Sequence, residues 1–310
     1  MREIVVISGK GGTGKTSITA ALADLAHREQ PVMLCDLDVD APDLHLLLEP
    51  DRAETQQFVS GFEAVIDPAA CVNCGLCVGL CRFDAIRQGP RGCSIAPMRC
   101  EGCKVCVQFC PAGAVAFTPR HCGQWWVSSM RFGPMVHAQL FSGSENSGRL
   151  VALLKKEARE RAKAQGIELM LCDGAPGIGC PVISSLSGAG AALIVTEPTP
   201  SGLHDLLRVA DLCAHFRIPA AVVINKFDLN IQNSAQIEGQ CRERGLPVLG
   251  LLPHDDIVVR AMVLGKCVTE LPATGFSDAL RGVWRRLPEL SRHSPHPGDL
   301  NINPKPKSKL

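Results

Sequence analysis

Apolar segments of strand length alternate with helix-length amphipathic segments at the start of the chain. Residues 2–8 and 32–38 are almost continuously apolar until the second ends in acidic residues, and residues 15–29 between them have the apolar spacing of a helix. Pro31 ends that helix. This succession predicts a βαβ unit with two parallel strands.

The same alternation resumes after residue 147. We predict further strands at 167–173, 191–196, 220–225 and 247–251, and helices at 148–165, 201–215, 232–244 and 277–290. Strands that are apolar throughout are typical of a parallel sheet with helices on both faces. The sequence therefore predicts an α/β fold.

One cysteine-rich segment interrupts this pattern. Residues 69–118 contain many Cys, Gly and Pro residues and show little periodicity. We predict that they form a small inserted α+β module, which divides the main domain into residues 1–68 and 119–290. Residues 291–310 are polar and contain several prolines, so we predict a disordered tail.

A glycine-rich loop follows the first predicted strand and precedes the first predicted helix. Its sequence GKGGTGKT, residues 9–16, matches G-x-x-x-x-G-K-[ST]. Backbone N–H groups of such a loop bind phosphates together with the helix N-terminus. We expect Lys15 to reach the β- and γ-phosphates of ATP and Thr16 to ligate Mg²⁺. The other predicted nucleotide-binding residues of this segment are Gly11, Gly12, Thr13, Gly14 and Ser17. A glycine turn that binds nothing is the alternative.

Two predicted strands end in carboxylates, at the edge of the sheet where ligands bind in α/β proteins. Asp36, Asp38 and Asp40 end the second strand, and Asp173 ends strand 167–173. Phosphoryl transfer to water requires bound Mg²⁺ and an oriented nucleophile. We predict that Asp38 positions the attacking water, with Asp36 and Asp173 close to Mg²⁺, either directly or through water. Asp40 is a further candidate, and capping of the strand end is the alternative for the first three acids.

The spacing C-x2-C-x2-C-x3-C occurs twice in the inserted segment. The bacterial two-cluster ferredoxin pattern has this spacing, and in it the fourth cysteine of each run binds the other cluster. We therefore predict two [4Fe–4S] clusters, one held by Cys71, Cys74, Cys77 and Cys110 and the other by Cys81, Cys100, Cys103 and Cys106. Zinc held by C-x2-C pairs is the alternative, and the clusters serve either as an electron path or as a structural element.

Sixteen cysteines in a chain without an apolar signal segment favour reduced thiols and a cytoplasmic protein. We expect no membrane anchor, because no apolar stretch reaches about 18 residues. The 32 Lys and Arg residues balance 31 Asp and Glu residues, which gives no support for nucleic acid as a partner. Cys93, Cys122 and Cys180 lie outside the two runs and are either packed or reactive thiols.

A second lysine, Lys10, lies inside the glycine-rich loop. With it, KGGTGKT resembles the deviant Walker A motif of the MinD/ParA/nitrogenase-iron-protein class. The resemblance implies that Lys10 crosses a dimer interface to the nucleotide of a partner chain; a solvated lysine is the alternative. It also implies a switch II turn at residues 174–179, and it adds Asn225 and Pro253 to the nucleotide-binding residues.

The arrangement of residues 1–290 resembles MinD-superfamily P-loop ATPases that contain an inserted two-cluster ferredoxin domain. The resemblance implies an ATP-hydrolysing homodimer, or a heterodimer with a paralogue. Its nucleotide state would gate electron transfer to a client metalloprotein, or the assembly of a cluster or metal cofactor in that client. An iron–sulfur carrier or scaffold that uses ATP as a switch is one alternative, and a MinD/ParA-like positioning ATPase with structural clusters is the other.

Overall fold

The computed structural model describes residues 1–290, so the tail predicted at 291–310 lies outside the described residues. The strands are β1 (Arg2–Ser8), β2 (Val32–Asp36), β3 (Asp51–Ile66), β4 (Ile86–Gly89), β5 (Gly92–Ile95), β6 (Val115–Met130), β7 (Gly133–Leu140), β8 (Leu169–Pro176), β9 (Ala191–Thr196), β10 (Ala220–Asn225) and β11 (Val248–Leu252). The helices are α1 (Lys15–His27), α2 (Leu44–Leu48), α3 (Leu76–Leu80), α4 (Val105–Gln108), α5 (Ser147–Ala164), α6 (Cys180–Leu186), α7 (Pro200–His215), α8 (Ile231–Glu243), α9 (Ile257–Val263) and α10 (Gly275–Leu290).

Nine strands form one sheet in the order β11-β10-β9-β1-β8-β2-β7-β6-β3. The first seven in this order are parallel to one another, whereas β6 runs antiparallel to both β7 and β3. The prediction of an α/β fold with a mainly parallel sheet and flanking helices is confirmed.

Two apolar cores lie on opposite faces of the sheet. Val5 and Ile7 of β1 belong to the core beneath α5, α6, α7 and α8, while Ile4 and Val6 belong to the core beneath α1, α9 and α10. Neighbouring side chains of a strand point to opposite faces, so a strand between two cores must be apolar at every position. This explains the continuous apolar runs in the sequence.

The second predicted strand is two residues shorter than expected. It ends at Asp36 and not at residue 38, so Asp38 lies in the following loop. Its end is fixed by the backbone N–H of Leu37, which donates to the carbonyl of Asp173 at 2.8 Å. The first helix likewise ends at His27, two residues before the predicted boundary.

Strands β3 and β6 were not predicted. They pair antiparallel over almost their whole length, from Asp51 opposite Ser129 to Ile66 opposite Val115. Strand β7 pairs with β6 only from Gly123 to Met130, so the distal part of the β3–β6 pair projects as a two-stranded ribbon. We call residues 59–66 with 115–121 the ribbon; it connects the sheet to the cysteine-rich segment.

The cysteine-rich segment has a small core of its own. Ala85, Ile86 and Cys93 are buried together, separately from the two cores of the sheet. The hairpin of β4 and β5 and the short helices α3 and α4 complete this part. The boundaries 69–118 of the inserted module remain a prediction.

Candidate nucleotide site and cysteine cavities

The glycine-rich loop between β1 and α1 is fixed by side chains at the end of β10. Gly12 and Gly14 have φ angles of 78° and 88°, in the left-handed region that favours glycine. The side-chain amide of Asn225 donates to the carbonyl of Thr13 at 2.8 Å, and Lys226 Nζ donates to the carbonyl of Gly12 at 3.3 Å. Asn225 therefore supports the loop itself, a role that the sequence did not indicate.

Lys15 is buried among carboxylates at the first turn of α1. Its Nζ lies 2.8 Å from Asp173 Oδ1 and 3.5 Å from Asp38 Oδ2. Burial alone would lower the pKa of Lys15, but the charges of Asp173 and Asp38 outweigh it and raise the pKa. Lys15 is therefore held as a cation, as binding to a phosphate requires.

Asp173 connects α1 to the centre of the sheet. Besides binding Lys15, its carboxylate accepts hydrogen bonds from Thr16 Oγ1 at 2.7 Å and from Thr19 Oγ1 at 3.0 Å. Thr19 was not among the residues predicted from the sequence, although a residue four positions after Lys15 lies on the same helix face. The three α1 side chains thus converge on one carboxylate.

Asp36 lies opposite Asp173 in the pairing of β2 with β8. Its side chain is 1% exposed; Oδ1 accepts a hydrogen bond from the backbone N–H of Asp38, and Oδ2 has no partner among the described residues. Burial and the charge of Asp173 raise the pKa of Asp36 well above its usual range. A buried oxygen without a partner is unfavourable, and a bound cation would relieve that cost.

A cavity of about 750 Å³ opens at Lys15 and Thr16, within the range of about 300–1,000 Å³ for small-molecule sites. Neither Asp36 nor Asp173 is among its lining residues. Its lining includes every residue predicted to bind the nucleotide, together with two of the acids: Gly11, Gly12, Thr13, Gly14, Lys15, Thr16, Ser17, Asn225, Pro253, Asp38 and Asp40. Thr13 Oγ1 is buried there and has no partner in the described part of the chain. Burial raises the pKa values of Asp38 and Asp40. The cavity thus offers unsatisfied polar groups to a ligand.

Lys10 is directed away from this cavity. Its Nζ lies 2.6 Å from Glu197 Oε1 and also donates to Thr199 Oγ1 and Ser201 Oγ, at 3.2 and 3.1 Å. Burial would raise the pKa of Glu197, but the hydrogen bond and charge of Lys10 outweigh it and lower the pKa. Within one chain, Lys10 is therefore bound to the segment that follows β9.

The eight cysteines of the two runs line two separate cavities at the end of the ribbon. Cys71, Cys74, Cys77 and Cys110 line the first, and Cys81, Cys100, Cys103 and Cys106 line the second. Each cavity thus takes three cysteines from one run and one from the other. Most of the other lining residues are apolar, including Ile66 and Val115 in the first and Ile86 and Ile95 in the second.

All sixteen cysteines are free thiols. Within residues 1–290, no three His, Cys, Asp or Glu side chains converge as they would around one metal ion. Cys122 is buried and donates to the carbonyl of Ser60 at 3.3 Å, so it is a packed thiol, whereas Cys180 is exposed at the start of α6. None of the helices in the described range is long and apolar enough to cross a bilayer.

The loop at residues 9–16, the contacts of its lysine and threonine with Asp173, and the parallel sheet define a P-loop nucleotide-binding α/β protein. The family model described as the CobQ/CobB/MinD/ParA nucleotide binding domain matches residues 4–268. The chain belongs to this family.

Individual proteins and solved structures are also similar to this chain. An uncharacterized protein of Methanocaldococcus jannaschii is 36% identical over 229 residues, which cover 74% of this chain and 79% of the relative. A cytosolic Fe-S cluster assembly factor Nubp1 homolog of Drosophila ananassae is 22% identical over 309 residues, which cover 92% of this chain and 81% of the relative. The structure of the septum site-determining protein MinD of Pyrococcus horikoshii with Mg-ADP has a TM-score of 0.59 at 17% identity, covering 94% of this chain and 98% of that one. The last similarity shows the fold alone.

Proposed function

We propose that this chain is an ATP-hydrolysing iron–sulfur protein whose nucleotide state controls a client metalloprotein. It would transfer electrons to that client, or assemble or insert a cluster or metal cofactor in it. The observation that carries this proposal is the division of the eight cysteines between two cavities, each with three thiols from one run and one from the other. The bacterial two-cluster ferredoxin pattern requires this crossed arrangement.

The chemistry of the two cavities fits a [4Fe–4S] cluster in each. Four cysteines supply the required thiolates, and each thiolate of such a cluster binds a different iron. The four thiols therefore need to surround a cavity and not to meet at one point. Bound clusters would supply one-electron transfer, and the mainly apolar walls would limit the access of water. We propose on these grounds that residues 69–118 are a ferredoxin-like module.

The residues around Lys15 fit Mg²⁺ and ATP. Thr16, Asp36 and Asp173 offer the oxygen ligands that Mg²⁺ prefers, and the free Oδ2 of Asp36 provides a vacant acceptor. Lys15 would exchange part of its contact with Asp173 for phosphate oxygens. Asp38, which lines the cavity in the loop after β2, would orient the attacking water.

Lys10 supports a dimeric form of the active protein. Its contacts with Glu197, Thr199 and Ser201 hold it outside its own nucleotide cavity, so it would contact a nucleotide only in a second chain. We propose a homodimer, or a heterodimer with a paralogue, that closes when ATP is bound. Such closure requires ATP to bind the closed state more tightly than the open one.

A continuous set of strand pairs links the two sites. Strand β2 ends at Asp36 and pairs with β7, β7 pairs with β6, and β6 pairs with β3. Strands β6 and β3 then form the ribbon that ends at the cysteine cavities. A shift of the loop after β2 on ATP hydrolysis would therefore be transmitted through backbone hydrogen bonds to the proposed clusters.

Two other functions are favoured by single observations. The similarity to the Nubp1 homolog, which is described as a cytosolic Fe-S cluster assembly factor, favours a cluster carrier or scaffold that uses ATP as a binding switch. The match to the family model that includes MinD and ParA favours a positioning ATPase in which the clusters are structural. In each case we expect a cytoplasmic protein without a nucleic-acid partner and without a membrane anchor.

Anaerobic purification of the full chain tests the proposal. We expect about eight irons and eight sulfides per chain, and an EPR spectrum of the reduced protein that changes when Mg-ATP is added. Cys103→Ala should lose about half of the iron, whereas Cys213→Ala, which removes a buried thiol of α7, should keep it. Zinc in place of iron would contradict the proposal. An EPR spectrum that does not change when Mg-ATP is added would favour structural clusters.

A further inference from the structure

The first cysteine cavity contains a fifth thiol. Cys93 lines it together with Cys71, Cys74, Cys77 and Cys110. It is only 6% exposed, it belongs to the small apolar core against which Cys71 and Cys77 pack, and its Sγ donates to Asn73 Oδ1 at 3.8 Å. Since four thiols complete the ligands of one [4Fe–4S] cluster, Cys93 is left over as a buried thiol beside them, and a charged thiolate accepts a hydrogen bond more strongly than an amide oxygen at this distance.

The second cavity has no equivalent thiol. Strand β5 contributes Cys93 to the first cavity and Ile95, two residues further on, to the second. Residues two apart in a strand point to the same face. The short strand β5 therefore places a thiol beside the cysteines of the first cavity and an aliphatic side chain beside those of the second. The two cavities therefore match in their four cysteines and differ at this position.

We propose that the Cys93 thiol donates a hydrogen bond to a thiolate ligand of the first cluster and thereby raises the reduction potential of that cluster above that of the second. This inference rests on the proposed function, because it requires both clusters. A hydrogen bond to a ligand sulfur stabilises the additional negative charge of the reduced cluster. Cys93 is thus a positioning residue that does not bind iron, and an electron on the protein resides mainly on the first cluster.

An EPR-monitored redox titration of the anaerobically purified full chain tests this assignment. We expect two midpoint potentials in the wild type. In Cys93→Ala the higher one shifts downward and the lower one stays constant, with the iron content unchanged. Cys93→Ser keeps a hydrogen-bond donor at the same place and should retain the separation of the two potentials.

Ile95→Ala is the matched control, because it enlarges the second cavity at the corresponding position of β5 without removing a donor. A fall of the second potential equal to that caused by Cys93→Ala would show that space and not hydrogen bonding is responsible, and would overturn the assignment. Unchanged potentials in Cys93→Ala would also overturn it. So would a loss of about half the iron, because Cys93 would then be a ligand.

The iron content separates failure of this inference from failure of the proposed function. Wild-type protein without iron would overturn both. Protein with about eight irons per chain and potentials that do not respond to Cys93→Ala would overturn only the role of Cys93.

Discussion

The ammonium group of Lys10 is paired with Glu197 of its own chain, at a distance of 2.6 Å between Nζ and Oε1. Lys226 lies 3.4 Å from the other carboxylate oxygen of Glu197. In the proposed dimer, Lys10 must leave this carboxylate before it reaches the nucleotide of the partner chain. The pair therefore opposes dimer formation.

Glu197→Gln should strengthen the ATP-bound dimer. Partly exposed ion pairs contribute up to about 1 kcal/mol each, and a homodimer would break one in each chain, so we expect the dimer dissociation constant to fall by up to about thirtyfold. Analytical ultracentrifugation with a non-hydrolysable ATP analogue measures this change. Asp211→Asn is the control, because it breaks an exposed ion pair with Arg244 that is also 2.6 Å long. Weaker dimerisation of Glu197→Gln than of wild type would contradict the proposed transfer of Lys10.

Thr16→Val should remove the Mg²⁺-dependent part of nucleotide affinity. Thr16 Oγ1 now donates to Asp173 Oδ2 at 2.7 Å and is the hydroxyl that a P-loop offers to Mg²⁺. We expect the affinity for ADP to fall about tenfold in Mg²⁺, or about 1.4 kcal/mol, and to change little in EDTA. Isothermal titration calorimetry under both conditions provides the measurement. Thr16→Ser, which keeps the hydroxyl, should bind as wild type does; an equal loss in EDTA would argue against a metal-ligand role.

Local sequence was sufficient for the buried parallel strands of the sheet. The predicted bounds of β9 and β10 agree with the structure at both ends, because each strand is apolar at nearly every position and is followed by a polar residue. The glycine-rich loop was equally clear, since its residue types and its place between a strand and a helix are both local properties.

The ribbon and the contacts of Lys10 could not be predicted in the same way. Strand β3 begins with DRAETQQF, in which seven of eight side chains are exposed, so it lacks the alternation that identifies a strand. It is stabilised by pairing with β6, whose paired residues lie 49 to 78 positions further along the chain. The Lys10–Glu197 pair likewise joins residues that are distant in sequence, and only the packing of β9 beside β1 brings them together.

Removal of Glu3 should destabilise the α5 side of the sheet. Glu3 is 4% exposed, and it forms ion pairs of 2.7 Å with the buried Lys155 and with Arg159. Glu3→Ala leaves Lys155 as a buried charge without its carboxylate, for which we expect a loss of about 3 kcal/mol in the free energy of unfolding. Anaerobic urea unfolding followed by circular dichroism measures the loss.

Glu160→Ala is the control for this prediction. Glu160 lies 3.9 Å from Lys156 on the exposed surface of α5, and the loss should stay below about 0.5 kcal/mol. Equal losses in the two variants would show that the Glu3–Lys155 pair contributes no more to the free energy of unfolding than an exposed ion pair does.

His137 should make stability depend on pH. Its ring is 1% exposed and shares a hydrogen bond of 2.9 Å with Ser128 Oγ. Burial, together with the charges of Arg52 and His45, lowers its pKa to about 3 in the folded chain. The unfolded chain, with a pKa of about 6.5, binds the proton more readily. The stability due to the neutral ring is therefore complete above pH 6.5 and is lost progressively as the pH falls from 6.5 towards 3.

Between pH 6 and pH 5 this one side chain should lower the free energy of unfolding by about 1 kcal/mol. His137→Gln cannot take up the proton, so its pH profile should be flatter than that of wild type by this amount. The control is His204→Gln, which replaces a histidine whose side chain is 70% exposed, and its profile should follow that of wild type. Parallel profiles for wild type and His137→Gln would mean that the buried ring is protonated as readily in the folded chain as in the unfolded one, which contradicts its burial against Trp126 and Ser128.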